Sequence, residues 1–247
     1  MFFDQKKFRV IIIDYPIYAF EDKFCANILG KALHMKHTGY VATYGEKILP
    51  MDKTDFFSTH IMLCEELNNE LIPVIIYKAT PYDRCLHYGV EFPALNILKS
   101  DGHEESIIEI NKILTNLEDP GLISFDSSWA QNLDYRFTKD SQLKNNLREI
   151  TMMFAVKHHE EFKLPHMMTL GVVKVKTDQF FERIGLKKLP GRSLFNLRSL
   201  NNSEVIIFHN DAFSDEALIM AEKFKELWEN KLVISGLNNS VRRSKAS

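Results

Sequence analysis

Two strand-like runs, Ser58 to Cys64 and Leu71 to Ala79, follow one another with only the turn Glu65 to Glu70 between them. No helix fits in that gap, so the chain is not a strict alternation of strand and crossover helix. Pro73 cannot donate to a ladder, which marks a strand start or a bulge at that point. The remaining segments fall around this pair. Phe8 to Tyr15 is β-branched and compact and reads as a strand. Asp22 to His34 reads as a helix with Phe24, Ile28 and Ala32 at spacings of four, and Tyr40 to Tyr44 as a short strand. Phe92 to Lys99 and Glu105 to Leu117 are helical, and Gly121 to Phe125 is a strand. In Ser141 to Phe162 the residues Leu143, Leu147, Ile150 and Phe154 form one apolar stripe, with Asp140 or Ser141 as the cap and Pro165 as the stop. Met167 to Val173 is a strand. Thr177 to Ile184 is a short helix, capped by Thr177 and closed by Gly185. Strands at Leu194 to Leu200 and Val205 to Phe208 precede a helix from Asp215 to Lys231, whose apolar face holds Ala217, Ala221, Phe224 and Trp228.

This order predicts an α/β (α+β) chain with a mixed, mostly antiparallel central sheet and helices on both faces. One domain is expected over residues 1–237, with a core at 8–200, a C-terminal strand and helix at 201–237, and a disordered tail at 238–247. With 31 basic and 33 acidic side chains the formal charge is −2, which supplies no electrostatic attraction to nucleic acid or an anionic membrane. Cys25, Cys64 and Cys85 form no CxxC pair and suit a reducing compartment. The charges Lys6, Lys7, Arg9 and Asp14 interrupt the apolar start, so no signal peptide or membrane span is read and a cytoplasmic protein is expected. No phosphate-binding GxxxxGK[ST], strand-linked GxGxxG or nucleophile elbow occurs.

Two stretches carry a resemblance. Thr177 to Leu186, TDQFFERIGL, follows the strand LPHMMTLGVV and resembles the FYEKxGF helix-turn after the fifth strand of GCN5-related N-acetyltransferases. Asp52-x-x-Asp55, Ser58-Thr59-His60-Ile61 and IPVIIYKATP resemble the ExDxYD, THL and GxxRLxPT segments of the acyl-homoserine-lactone synthase and N-acyl amino acid synthase branch. YGVEFPAL and SFDSSWAQ fall where that branch carries mL…FpeL and WExSRF. The resemblance spans about Phe24 to Leu186. Pro50 replaces the first acidic residue, Tyr77-Lys78 stands in for the strand arginine, and Ser128 for the arginine of SRF. QNLDYRFTKDSQL occupies the place of the Gly-rich pyrophosphate loop.

The resemblance implies a sheet splayed between Gly121–Phe125 and Met167–Val173, and an autoinducer-synthase-like transfer from an acyl thioester to a small amine. The thioester is on coenzyme A or an acyl carrier protein. The absent Gly-rich loop shifts the expectation toward the carrier protein and a longer acyl chain, because that loop aims backbone N–H groups at phosphates. Asp52 and Asp55 are then candidates to bind the acceptor ammonium or relay its proton, with loop caps as the alternative. His60 is a further catalytic candidate on its strand. Asp126, Ser127 and Ser128 end a strand near the expected thioester position, where turn-forming residues are also ordinary. Phe181 occupies the place of the tyrosine often used as general acid, so water or another group must protonate the leaving thiolate. His158-His159-Glu160-Glu161 and His166 lack HExxH spacing and read as a solvated helix end, with no metal expected. Two other functions stay open: a non-catalytic binding protein of the same fold, and an acetyl-CoA-dependent acetyltransferase.

Overall fold

The computed structural model describes residues 5–101, 104–191, 194–235 and 240–243. Ten strands occur among them. These are β1 (Phe8–Asp14), β2 (Thr59–Leu67), β3 (Glu70–Pro81), β4 (Ile123–Gln131), β5 (His166–Val172), β6 (Lys187–Lys188), β7 (Leu194–Leu197), β8 (Ser203–Asn210), β9 (Leu232–Ser235) and β10 (Ser240–Arg243). The ten helices are α1 (Pro16–Ala19), α2 (Lys23–Tyr44), α3 (Tyr82–His87), α4 (Pro93–Asp101), α5 (Glu104–Thr115), α6 (Leu133–Arg136), α7 (Ser141–Glu161), α8 (Thr177–Arg183), α9 (Asp215–Lys223) and α10 (Lys225–Glu229). No described helix is long and apolar enough to cross a membrane.

The chain divides into two compact units, Met1–Ala79 with Ser128–Phe154 and Met220–Ser247, and Thr80–Ser127 with Ala155–Ile219. The divisions fall within or beside β3, β4, α7 and α9, so no linker in the sequence marks them.

In the first unit β1 pairs antiparallel with β2 and parallel with β9, and β2 pairs antiparallel with β3. The β2–β3 hairpin turns on Asn68 and Asn69, both at positive φ (52° and 64°), as a two-residue turn between twisted strands requires. The ladder shifts register between Leu63 and Cys64, where Cys64 faces Pro73; the proline sits beside a bulge, one of the two places expected for it. Asp22 caps α2 by accepting from the Cys25 N–H at 2.9 Å. The helix then runs without a break through Tyr40–Tyr44, the expected strand. Its buried residues Cys25, Ile28, Leu29, Ala32 and Met35 cover Ile11, Ile13, Met62, Cys64 and Ile76 of the sheet. Continuous burial along one helical face overrides the weak strand preference of YVATY.

In the second unit β5 pairs antiparallel with β8, and β6 and β7 add to β8. β4 and β5 pair in parallel from Ile123–His166 to Asp126–Thr169, and the ladder ends there although β4 continues to Gln131 and β5 to Val172. This is the expected splay. Ser128 follows at φ 61°, an uncommon conformation for a residue with a Cβ, which bends β4 out of register.

Several local expectations need correction. Thr177 does not cap α8; its hydroxyl accepts from the Val172 N–H at 2.7 Å and ties the helix start to the end of β5. The C-terminal helix breaks at Phe224 into α9 and α10, while Ala217, Ala221, Phe224 and Trp228 are all buried as expected. Ser240–Arg243, read as disordered tail, pairs antiparallel with β9; residues 238, 239 and 244–247 lie outside the described residues.

Candidate active site

The acidic pair of the DxxD…STHI stretch lies in the first unit. Asp52 caps a 3-10 turn, Lys53–Phe56, and forms a capping box with Asp55 at its third position. Asp52 accepts from the Thr54 N–H at 2.7 Å, and Asp55 Oδ2 accepts from the Asp52 N–H at 2.9 Å. Two buried lysines close on Asp55. Lys36 from α2 reaches its carboxylate at 3.0 and 3.3 Å, and Lys78 from β3 reaches Oδ1 at 3.0 Å. Lys78 also donates to Thr54 Oγ1 at 2.7 Å and lies 3.5 Å from Asp52 Oδ1. Lys78, which stands in for the strand arginine, thus meets both acids of the DxxD pair.

Burial opposes ionisation of Asp55, but the charges of Lys78 and Lys36, in that order, outweigh it and hold the carboxyl well below the usual range. Lys36 is pushed down to about 8, chiefly by burial and then by repulsion from Lys78, with Asp55 pulling the other way. The two acids therefore differ in what they can do. Asp55 is buried and engaged at both oxygens, so an incoming ammonium cannot replace its lysines without stranding them. The Asp52 side chain is 61% exposed and remains accessible to a ligand.

His60 is fully buried and its Nε2–H donates to the Asp55 carbonyl at 2.8 Å. It props the turn and meets no solvent. Burial pushes it down to about 4 despite the nearby Asp55 charge. His209 of β8 is likewise lowered to about 4 by burial and then by His166. A base depressed in the fold makes stability fall as pH drops from its ordinary 6.5 toward its folded value, because the unfolded chain binds more protons there. Urea unfolding midpoints should therefore decline between pH 6.5 and 4, and His60→Gln, which keeps a donor for the Asp55 carbonyl, should make that decline shallower.

Asp126, His158 and His159 lie together in the second unit. Asp126 is fully buried; Ser124 Oγ donates to its Oδ1 at 2.6 Å and His159 Nε2 meets its Oδ2 at 2.9 Å. Both carboxylate oxygens are thus engaged within the protein. His158 and His159 are also buried, so the expectation of a solvated helix end fails. After Phe154 the apolar stripe of α7 continues to His158, and that spacing of four was the signal in the sequence. Phe181, fully buried, packs against Phe180 and Phe208 with ring centroids 5.5 and 6.0 Å away. Of the remaining candidates, Ser127 is half-buried and Ser128 is buried at the bend of β4. Lys36 was missed, although it continues the stripe Ile28, Ala32 at the same spacing. A lysine on an apolar stripe signals a buried partner.

The chain has a GNAT-like fold, a mixed and mostly antiparallel sheet whose β4–β5 ladder ends at Asp126–Thr169. It shares this fold with solved acyl-homoserine-lactone synthases and an N-acyl amino acid synthase. The CoA-dependent acyl-homoserine lactone synthase BjaI, solved with SAM and isopentyl-CoA, superposes at TM-score 0.54 with 13% identity, covering 95% of each chain. TofI, in a ternary complex with an inhibitor and MTA, gives 0.53 at 10% identity over 87% of this chain and 96% of its own. FeeM, an N-acyl amino acid synthase from uncultured soil microbes, gives 0.53 at 12% identity over 82% and 88%. No protein-family model and no curated protein matches the sequence.

Proposed function

We propose that this chain is an N-acyltransferase that moves an acyl group from a coenzyme A or carrier-protein thioester to the amine of an amino acid or similar small acceptor. The observation that carries the proposal is the turn Asp52–Asp55 locked onto Lys78, in a chain that shares the synthases' fold over nearly its whole length. Asp55 and the two lysines fix the turn, and Asp52 offers its exposed carboxylate to the acceptor ammonium. A water held there takes the ammonium proton, and the free amine attacks the thioester carbonyl. The C–N bond forms, the C–S bond breaks, and solvent protonates the thiolate, since Phe181 supplies no acid. The thioester is received along β4 at Ser128. The segment replacing the Gly-rich loop forms α6, capped by Asn132 and tied by Arg136 to Thr43 at 2.7 Å. It holds no glycine-lined cradle for a pyrophosphate, which favours a carrier-protein donor and a longer acyl chain.

Asp52→Asn tests the acceptor role without unpicking the buried cluster. A charge-assisted hydrogen bond of about 1.5–3 kcal/mol corresponds to roughly a 10- to 100-fold loss in kcat/KM for the amine, with thioester KM almost unchanged. Assays with octanoyl and palmitoyl groups on carrier protein, and with acetyl-CoA, belong in the same experiment. Wild-type turnover by a folded Asp52→Asn protein rejects Asp52 as the acceptor site, and faster turnover of acetyl-CoA rejects the carrier-protein donor. A binding role without catalysis is favoured by one observation: protein groups engage both carboxylate oxygens of Asp55 and of Asp126. Absence of turnover with every thioester, together with stabilisation by one of them, establishes that reading instead.

A further inference from the structure

We propose that Asp126, His158 and His159 hold a divalent transition-metal ion of the zinc class, which fastens the C-terminal turn of α7 to β4. The starting point is the hydrogen-bond arithmetic of His159. Its Nδ1 lies 2.8 Å from the Leu164 carbonyl oxygen, an acceptor only, so Nδ1 carries a hydrogen. Its Nε2 then faces a second acceptor, Asp126 Oδ2, at 2.9 Å. A neutral ring cannot satisfy both while Asp126 is ionised. Either a proton is held between His159 and Asp126, on the ring or on the carboxyl, or a cation stands in its place.

The surroundings favour the cation. One ligand atom from each of Asp126, His158 and His159 lies within 4.8 Å of the others. Adjacent residues on a helix diverge by about 100°, yet the two imidazoles converge, with ring centroids 5.4 Å apart. An imidazolium at His159 would repel its neighbour, whereas a metal turns both rings into ligands. Bonds of about 2.0–2.1 Å in tetrahedral geometry need ligand atoms roughly 3.4 Å apart. The widest pair therefore closes by about 1.4 Å at most, within reach of side-chain torsions.

Outer partners are already in place. Leu164 O holds the far nitrogen of His159, and Ser124 Oγ, 2.6 Å from Asp126 Oδ1, orients the carboxylate while lying 3.5 Å from His159 Nε2. Such partners orient the direct ligands of protein-bound metals. Two imidazoles and one carboxylate suit zinc better than magnesium or calcium, which prefer all-oxygen shells. All three residues are at most 4% exposed, so the ion is structural and no substrate reaches it.

Wild-type protein expressed in minimal medium with added Zn2+ or Co2+ tests this by metal analysis and visible absorption. About one ion per chain is expected, and the cobalt form should show the intense d–d bands of a four-coordinate site. His158→Phe, which fills the same volume beside Phe162, and Asp126→Asn should each lower occupancy at least tenfold. Natively folded wild type with neither stoichiometric metal nor cobalt bands overturns the proposal and leaves a proton held between His159 and Asp126. Metal retained unchanged in both variants overturns it as well, by placing the ion elsewhere.

Discussion

Replacing Asp55 by Asn should cost the folded state about 3–5 kcal/mol, the usual consequence of removing one partner from a buried ion pair. In a chain of this size that is roughly a 6–20 °C fall in melting temperature. The cause is less the lost attraction than what remains, since Lys36 and Lys78 would be buried with Asp52 alone to face them, and Asp52 lies at the surface. Lys36→Met should behave oppositely and be neutral or stabilising. It leaves Lys78 and Asp55 as a matched pair, and it relieves the repulsion that, after burial, holds Lys36 down to about 8.

The pH dependence separates the two residues. Lys36 is lowered in the fold from an ordinary 10.5, so the unfolded chain binds more protons between about 8 and 10.5, and stability rises with pH across that window. Lys36→Met should flatten the rise. Asp55 has the opposite role: its contribution is complete above the ordinary carboxylate range and is lost as pH falls through and below it. Chemical unfolding from pH 3 to 10.5 on wild type and both variants checks all of this. Equal destabilisation by the two substitutions would show that the lysines act as a pair rather than as one partner and one excess charge.

The second large effect is expected at Gly185. It sits at φ 102°, where an added Cβ would lie 2.6 Å from the Ser214 nitrogen and 3.1 Å from the Phe213 carbonyl carbon. Gly185→Ala therefore combines about 1–3 kcal/mol of backbone strain with about 1–3 kcal/mol of overpacking against backbone that cannot swing aside. The bonds at risk hold the end of α8, where Ser214 N donates to Ile184 O at 3.0 Å and Ser214 Oγ to Arg183 O at 2.8 Å. Gly171 on β5 faces the other end of the same helix, and its Cβ would meet Phe208 at 2.6 Å and the Asp178 backbone at 2.8 Å. Gly171→Ala should also destabilise, through contact alone, since only Gly185 carries a positive φ. Calorimetric melting of the two single variants gives the comparison; a Gly185→Ala protein as stable as wild type would mean that the loop after α8 yields freely.

Sequence alone determined the elements whose signals are local. The β2–β3 pair, the apolar stripe of α7, the α8 turn closed by a glycine at positive φ and the β-branched β1 and β8 are visible because period, cap and turn residue lie within a few positions of one another. The joint appearance of DxxD, STHI, a strand cation and FFERIGL likewise pointed to the synthase-like fold, because each motif is a short run. Tertiary structure alone decided which charged residues are buried, and against what. Asp52 and Asp55 look equivalent in the sequence, yet Lys36, 19 residues before Asp55, and Lys78, 23 after it, arrive from a helix and a strand to claim one acid and leave the other outside. His158 and His159 look solvated because they neighbour glutamates, and they are buried because the end of α7 turns them toward Asp126, 33 positions from His159. β9 escaped notice for the same reason. Four residues long, Leu232–Ser235 joins the sheet by parallel pairing with β1, more than 200 residues earlier in the chain.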